Sequence, residues 1–171
     1  MKYLKYFESM VGEALGIPRK PDDFDNRCLL DIKEIFNEFA EENDFYKFEW
    51  TLDSHPLEVG VLYTYFTWEE LEKQTDPSKD KLAMRIKNDM LSQKYFNIQV
   101  NINEEMNKKK EYGMSKCSSR WDEVIQKINE QFIKRIEPIG YKVKISNGSA
   151  SSLGPDIWTD TINLKIDYSE L

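Results

Sequence analysis

The residue types that can do chemistry are few in this chain and lie far apart. The one histidine, His55, follows Ser54 in a turn that ends at Pro56. A nucleophile and its base must meet in a fixed geometry beside a third group that orients the base, and neighbours in a turn usually point apart. One histidine and two separated cysteines, Cys28 and Cys117, do not make a zinc-binding set. We therefore predict no catalytic residue, no metal site and no cofactor, and we expect both thiols to be reduced.

A glycine-containing loop comes nearest to a phosphate-binding motif. Gly148 and Gly154 lie at the two ends of a serine-rich segment. A phosphate loop ends in Gly-Lys-Ser/Thr and opens a helix, whereas this segment lacks the lysine and precedes a predicted strand. We interpret residues 147–155 as a hairpin loop that its composition makes flexible. The alternative is a nucleotide-binding protein or enzyme that uses residues 148–154.

The charges are distributed unevenly along a chain of net charge −7. Residues 22–76 hold sixteen Asp/Glu and four Lys/Arg, while residues 77–144 hold fifteen Lys/Arg and nine Asp/Glu. This asymmetry favours oriented docking to a charged protein, although two solvated faces would show the same pattern. The candidate binding residues are Glu34, Glu38, Glu41, Lys108, Lys109, Lys110, Gly148 and Gly154. The lysine run has no interleaved aromatic residues for stacking bases, so we do not expect a nucleic-acid partner.

The spacing of apolar residues indicates the elements that must position these groups. Helical spacing predicts helices over residues 1–15, 25–43 and 78–92, and from 118 or 119 to Pro138. Asp25 is the predicted cap of the second helix. Apolar and polar residues alternate over 48–53, 59–66, 96–103, 141–145 and 162–168, which predicts five strands. The first two strands are close enough in the chain to predict a hairpin.

The polarity of the two sides of each strand predicts how the sheet and the helices are layered. Three of them expose a strictly polar second face, so we expect one open face, with helices on the other. The predicted fold is α+β and two-layered, with two helix–strand–strand units, a middle helix–strand and a mixed sheet of about five strands. An offset of 93 residues relates Phe39 to Phe132 and predicts an internal repeat. The predicted core is Phe36, Phe39, Trp50, Trp121, Ile128 and Phe132.

The predicted domain organisation is an arm, a linker and one domain. Residues 1–17 form the amphipathic arm, residues 18–24 the linker and residues 25–171 a single α+β domain. No apolar run approaches the roughly 18 residues of a membrane span, and the first residues lack an uninterrupted apolar region of signal-peptide type. We therefore expect a cytoplasmic protein without membrane contact, and leave homo-oligomerisation open.

Three segments carry a resemblance to a group of viral proteins. The opening Met1-Lys-Tyr-Leu-Lys-Tyr-Phe-Glu8 resembles the start of small uncharacterised proteins of large tailed bacteriophages. Asp31-Ile-Lys-Glu-Ile-Phe-Asn-Glu-Phe39 and Ile133-Lys-Arg-Ile-Glu-Pro-Ile-Gly-Tyr-Lys-Val143 are similar to a helix–strand–strand unit in them. The stretch Val11-Gly-Glu-Ala14 resembles a prohead-protease site, which implies removal of residues 1–13.

The resemblance implies an accessory protein in the host cytoplasm. The function that we expect is non-enzymatic and depends on protein–protein contacts. One alternative is a small virion protein, packaged or assembled through its N-terminal helix. The other is the nucleotide-binding protein or enzyme that uses the loop.

Overall fold

The structure contains the helices predicted over 25–43 and 78–92 and from 118 or 119 to Pro138, and it adds a short helix and a two-residue strand that the sequence does not predict. The computed structural model describes residues 20–49, 58–73, 80–106, 118–148, 151–152 and 156–171. The helices are α1 (Asp23–Glu42), α2 (Trp68–Lys73), α3 (Asp80–Ser92) and α4, a composite of Trp121–Lys127, Ile128–Ile133 and Lys134–Ile136. The strands are β1 (Phe45–Lys47), β2 (Gly60–Phe66), β3 (Tyr95–Glu105), β4 (Lys142–Asn147), β5 (Ser151–Ser152) and β6 (Ile157–Asp167). Among these helices, none combines the length and apolarity needed to cross a bilayer.

The strands form one mixed sheet in the order β1-β2-β3-β6-β4, with β5 added to β6. β1 and β2 are parallel, and the other neighbouring pairs are antiparallel. The side chains of Phe96, Ile98, Val100 and Ile102 are fully buried on one face of β3. Ile162, Leu164 and Ile166 of β6 are fully buried in the same cluster. The predicted α+β class with a mixed sheet is therefore confirmed.

The core lies where α1 and α4 meet over this apolar face. The ring centroid of Phe36 lies 4.8 Å from that of Phe132 and 5.0 Å from that of Tyr63 in β2. Phe36, Phe39, Trp121, Ile128 and Phe132 are each at most 1% exposed, which confirms them as core residues. The remaining predicted core residue, Trp50, lies outside the described ranges.

The pairing of β1 corrects the predicted first hairpin. The strand beside β2 is β1, which precedes the predicted strand 48–53 and runs parallel to β2 with Phe45 opposite Val61, while residues 50–53 lie outside the described ranges. The twelve residues 48–59 join the two strands, a connection long enough for a parallel pair, whereas a hairpin needs only a short turn. The second unit pairs β4 and β6 antiparallel. The strands of the two units therefore differ in direction, and the repeat is limited to the order helix–strand–strand.

The start of α1 corrects the predicted cap. The carboxylate of Asp22, not that of Asp25, accepts the N–H groups of Phe24 and Asp25, each at 2.9 Å. Asp25 occupies the third helical position and accepts the N–H of Asp22 at 3.0 Å, which completes a capping box. α1 therefore begins inside the predicted linker 18–24. The predicted arm 1–17 lies outside the described residues.

Three helices pass into strands through a residue of positive φ. Asp44 follows α1 (φ 58°), Lys94 follows α3 (φ 53°) and Gly140 follows the 3₁₀ turn after α4 (φ 104°). A left-handed residue at this position ends a helix and redirects the chain within one turn. Only Gly140 was recognisable from sequence, because glycine adopts this conformation without steric cost.

The π-helical segment of α4, Ile128–Ile133, keeps one stripe of the helix buried. The fully buried residues Val124, Ile128, Phe132 and Ile136 recur every four residues. In an α-helix a four-residue step overshoots one turn by about 40°, so this stripe would rotate away from the core. The wider π turn offsets that drift. α3 is less completely buried, since Met90 is buried but Leu82 is 60% exposed.

Candidate binding surfaces

Three buried carboxylates are the first candidates for chemistry, and all three are occupied by hydrogen bonds. Asp25 accepts the Tyr168 hydroxyl at 3.0 Å as well as the Asp22 N–H. Asp160 accepts the Ser118 N–H and, at 3.2 Å, the Trp158 indole N–H. Glu104 accepts the N–H of Ser119 at 2.7 Å and also the hydroxyl of the same residue. These carboxylates hold helix ends in place.

The described residues contain no group of three or more His, Cys, Asp or Glu side chains that could hold a metal ion. Cys28 is a buried free thiol, and burial raises its pKa. Cys117 and His55 lie outside the described ranges.

The outer face of α1, which consists of Leu30, Glu34, Glu38 and Glu41, is the first exposed candidate. All four side chains are exposed, Leu30 to 62%. The opposite side of the helix carries the buried Ile32, Phe36 and Phe39, so the outer face is held in one orientation. Within the described residues, no basic side chain forms an ion pair with Glu34, Glu38 or Glu41.

The second candidate is the side of the sheet that faces away from the core. We call it the polar face, and it consists of Tyr95, Asn97, Gln99, Asn101 and Asn103 of β3 with the residues that flank them on β2, β4 and β6. From β6 it includes Thr159, Thr161, Asn163 and Lys165, and from β4 it includes Lys144 and Ser146. The strict alternation of β3 and β6 creates this face, because successive strand residues point to opposite sides.

The polar face divides into a buried half and an open half. Asn101, Asn103 and Thr159 are at most 5% exposed. Asn103 donates to the carbonyl of Glu58 at 3.1 Å and accepts the Thr159 hydroxyl at 2.7 Å. The open half is a hollow of about 480 Å³, lined by Phe66, Tyr95, Asn97, Gln99, Lys144, Ser146, Asn163 and Lys165. The expected open face is therefore present over only part of the sheet.

Two lysines lie directly opposite each other in the hollow. Lys144 of β4 is the register partner of Lys165 of β6, an arrangement of like charges that destabilises a sheet. Among the described residues, neither lysine has a carboxylate within ion-pair distance. The nearby Lys142, by contrast, forms an ion pair with Glu170. Asp167 lies two residues along the same side of β6, and its pKa is lowered by hydrogen bonds from Ser169 and by the charges of Lys165 and Lys142.

Tyr95 holds one of these lysines in position. The ammonium nitrogen of Lys165 lies 3.7 Å from the centroid of the Tyr95 ring, a cation–π contact. The Tyr95 hydroxyl donates to Asp89 of α3 at 2.8 Å. Asp89 and Tyr95 also line a second hollow of about 540 Å³ along α3. Tyr95 thus joins the helix to the open half of the polar face.

The ionisation of Tyr95 leads to a prediction about alkaline stability. Burial, with the hydrogen bond to Asp89, raises the pKa of Tyr95 to about 12, compared with about 10 in an unfolded chain. The folded state therefore holds this proton more tightly. The resulting stabilisation is complete below about pH 10 and is lost as the pH rises toward about 12.

Urea unfolding between about pH 9 and about pH 11 measures this loss. We expect Tyr95→Phe to lose less stability than the wild type over that range, because it has no proton to release at this site. Burial also raises the pKa of Tyr65 and Tyr141, so the prediction concerns the difference between the two proteins. An equal loss in both would contradict it.

Some of the predicted binding residues lie in the described ranges, and the others lie outside them. Glu34, Glu38 and Glu41 share one exposed helix face, as the sequence predicts. Gly148 lies beside the polar face, where a Cβ atom would come within 2.7 Å of Thr161 Cγ2 and 3.0 Å of Asn163 Nδ2. The run Lys108–Lys110 and the second glycine, Gly154, lie outside the described residues.

Sequence reasoning missed Lys144, Lys165 and Tyr95 as a group. Alternation along β4 and β6 was enough to place both lysines on polar faces of their strands. It was not enough to make them neighbours, because that depends on which strands pair and in what register.

No protein-family model, no curated protein and no solved structure matches this chain.

Proposed function

We propose that this chain is a non-enzymatic bacteriophage accessory protein that acts in the host cytoplasm through protein–protein contacts. The observation that carries the proposal is the outer face of α1. It presents three glutamates without described ion-pair partners, in a row that begins one turn after the exposed Leu30, on a helix fixed by its buried side. A row of unpaired charges of one sign on a helix with a fixed orientation is suited to a partner with a basic patch.

The partner that fits this surface is a protein with a basic patch. Electrostatic complementarity sets association rate and orientation more than total affinity. The excess of sixteen acidic over four basic residues in positions 22–76 would extend the attraction beyond the contact itself. The buried Asp25, Glu104 and Asp160 support a non-enzymatic role, since their oxygens accept hydrogen bonds that hold helix ends in place.

Charge reversal on α1 tests this proposal. The partner is first captured from host lysate with the full chain, identified by mass spectrometry and purified. Its affinity is then measured for the wild type and for the triple variant Glu34→Lys, Glu38→Lys, Glu41→Lys. We expect the variant to bind about tenfold more weakly or worse, since each lost charge pair is worth more than about 1 kcal/mol. Added salt should weaken wild-type binding through screening.

A control variant with the same change in net charge separates local contact from general repulsion. Glu130→Lys, Glu137→Lys, Asp156→Lys reverses three exposed acids on other surfaces, and it should bind the partner nearly as well as the wild type. If both triple variants bind equally well, or if salt has no effect, the outer face of α1 is not the contact surface.

A further inference from the structure

The open half of the polar face lies on a different layer from α1, and its chemistry points to a different ligand. We propose that it binds a mononucleotide, with the phosphate between Lys144 and Lys165 and the base beside Phe66. This inference goes beyond the protein contacts of α1 and does not depend on them.

The lysine pair specifies the anion. Cross-strand neighbours have Cβ atoms about 5 Å apart, so two flexible ammonium groups can converge on one group. A phosphate monoester carries nearly two negative charges and three acceptor oxygens, and it can neutralise both Lys144 and Lys165. A carboxylate would neutralise only one. Lysine binds phosphate as a compact point charge, and Lys165 would leave the Tyr95 ring, which is on the strand opposite to β4, to share a phosphate with Lys144.

The row of residues across the strands specifies the rest of the ligand. Four residues form one row across the sheet, each the register partner of the next: Phe66 of β2, Asn97 of β3, Lys165 of β6 and Lys144 of β4. Three strand spacings, about 14 Å in total, separate Phe66 from Lys144. An extended nucleoside monophosphate spans a comparable length. Its base would reach the Phe66 ring, on which bases stack without regard to sequence.

Uncommitted polar groups lie between the two ends of this row. Asn97, Asn163 and Ser146 line the hollow, and within the described residues no hydrogen bond occupies their side chains. They can donate to and accept from ribose hydroxyls. The side-chain N–H of Gln99 donates to Asn101 Oδ1 at 3.1 Å, so the side-chain carbonyl oxygen of Gln99 points away from Asn101. The volume of about 480 Å³ falls within the range of small-molecule sites.

The net charge limits the length of the ligand. A long nucleic acid gains affinity from many phosphate contacts, and each contact needs a cation. Here two lysines face the hollow, on a protein of net charge −7. Repulsion from the remainder of the protein would oppose each further phosphate. The geometry therefore favours one phosphate and one base over a polynucleotide.

Calorimetric titration of the full chain with adenosine 5′-monophosphate tests the proposal. We expect saturable binding with one site per chain, and weaker binding of adenosine and of inorganic phosphate. Lys144→Gln and Lys165→Gln should each weaken the mononucleotide about tenfold or more, the value of one hydrogen bond to a charged group. Phe66→Leu should weaken the mononucleotide but leave inorganic phosphate unchanged.

Matched variants separate the site from general charge and folding effects. Lys134→Gln removes an exposed lysine from α4 and should leave the affinity unchanged, and so should the triple reversal on α1. Thermal melts confirm that each variant is folded. Lys144 lies on an edge strand and is exposed, so its variant remains informative if Lys165→Gln fails to fold. No saturable binding at millimolar mononucleotide, equal affinity in the Lys144→Gln variant, or tighter binding of a thymidine dodecamer would overturn the proposal.

Discussion

Replacing Phe132 by alanine should lower the free energy of unfolding by about 3–5 kcal/mol, from lost transfer energy plus the cavity left behind. Phe132 is fully buried, and its ring contacts Phe36 and Phe39 of α1 with centroid separations of 4.8 and 5.8 Å. The loss is a large fraction of the roughly 5–15 kcal/mol that stabilises an ordinary domain. Urea unfolding of the two proteins measures it.

Phe39→Ala should cost a similar amount, because Phe39 is also fully buried. The two rings touch, so the double variant should lose less than the sum of the single losses, by about 0.5 kcal/mol or more. Glu38→Ala on the exposed side of α1 is the control and should cost about 0.5 kcal/mol or less. A loss below about 1 kcal/mol for Phe132→Ala would show that α4 does not pack on α1 as described.

Replacing Asp160 by alanine should cost about 2–3 kcal/mol, although the side chain removed is small and polar. Asp160 and Ser118 are both fully buried, and the carboxylate accepts the N–H of Ser118 just before α4. The variant leaves that donor unpaired away from water, which costs about 1–3 kcal/mol, and more where the lost partner is charged. Urea unfolding again provides the measurement.

Two further variants serve as controls for Asp160→Ala. Asp160→Asn keeps an acceptor oxygen near Ser118 and should lose less stability than Asp160→Ala. Asp156→Ala removes an exposed carboxylate close by in sequence and should cost about 0.5 kcal/mol or less. A loss for Asp160→Ala no larger than that for Asp156→Ala would mean that the buried carboxylate does not hold the start of α4.

The sequence by itself determined most of the elements and their buried sides. β3 and β6 were recognisable because side chains alternate along a strand, so that a run such as Phe96, Ile98, Val100 and Ile102 identifies the apolar face without any knowledge of neighbours. The core side of α1 followed from the helical period in the same way. The α+β class and the two-layer arrangement result from these local periods, since each apolar side must be covered.

The tertiary structure decided how the elements meet. β1 pairs parallel with β2 although the two are close in sequence, because direction depends on the path of the residues between them. Lys144 faces Lys165, and Asp160 meets Ser118, only because β6 lies between β3 and β4 in a particular register. Periodicity assigns a side chain to a face. Register and strand order assign its neighbours, and the candidate site consists of neighbours.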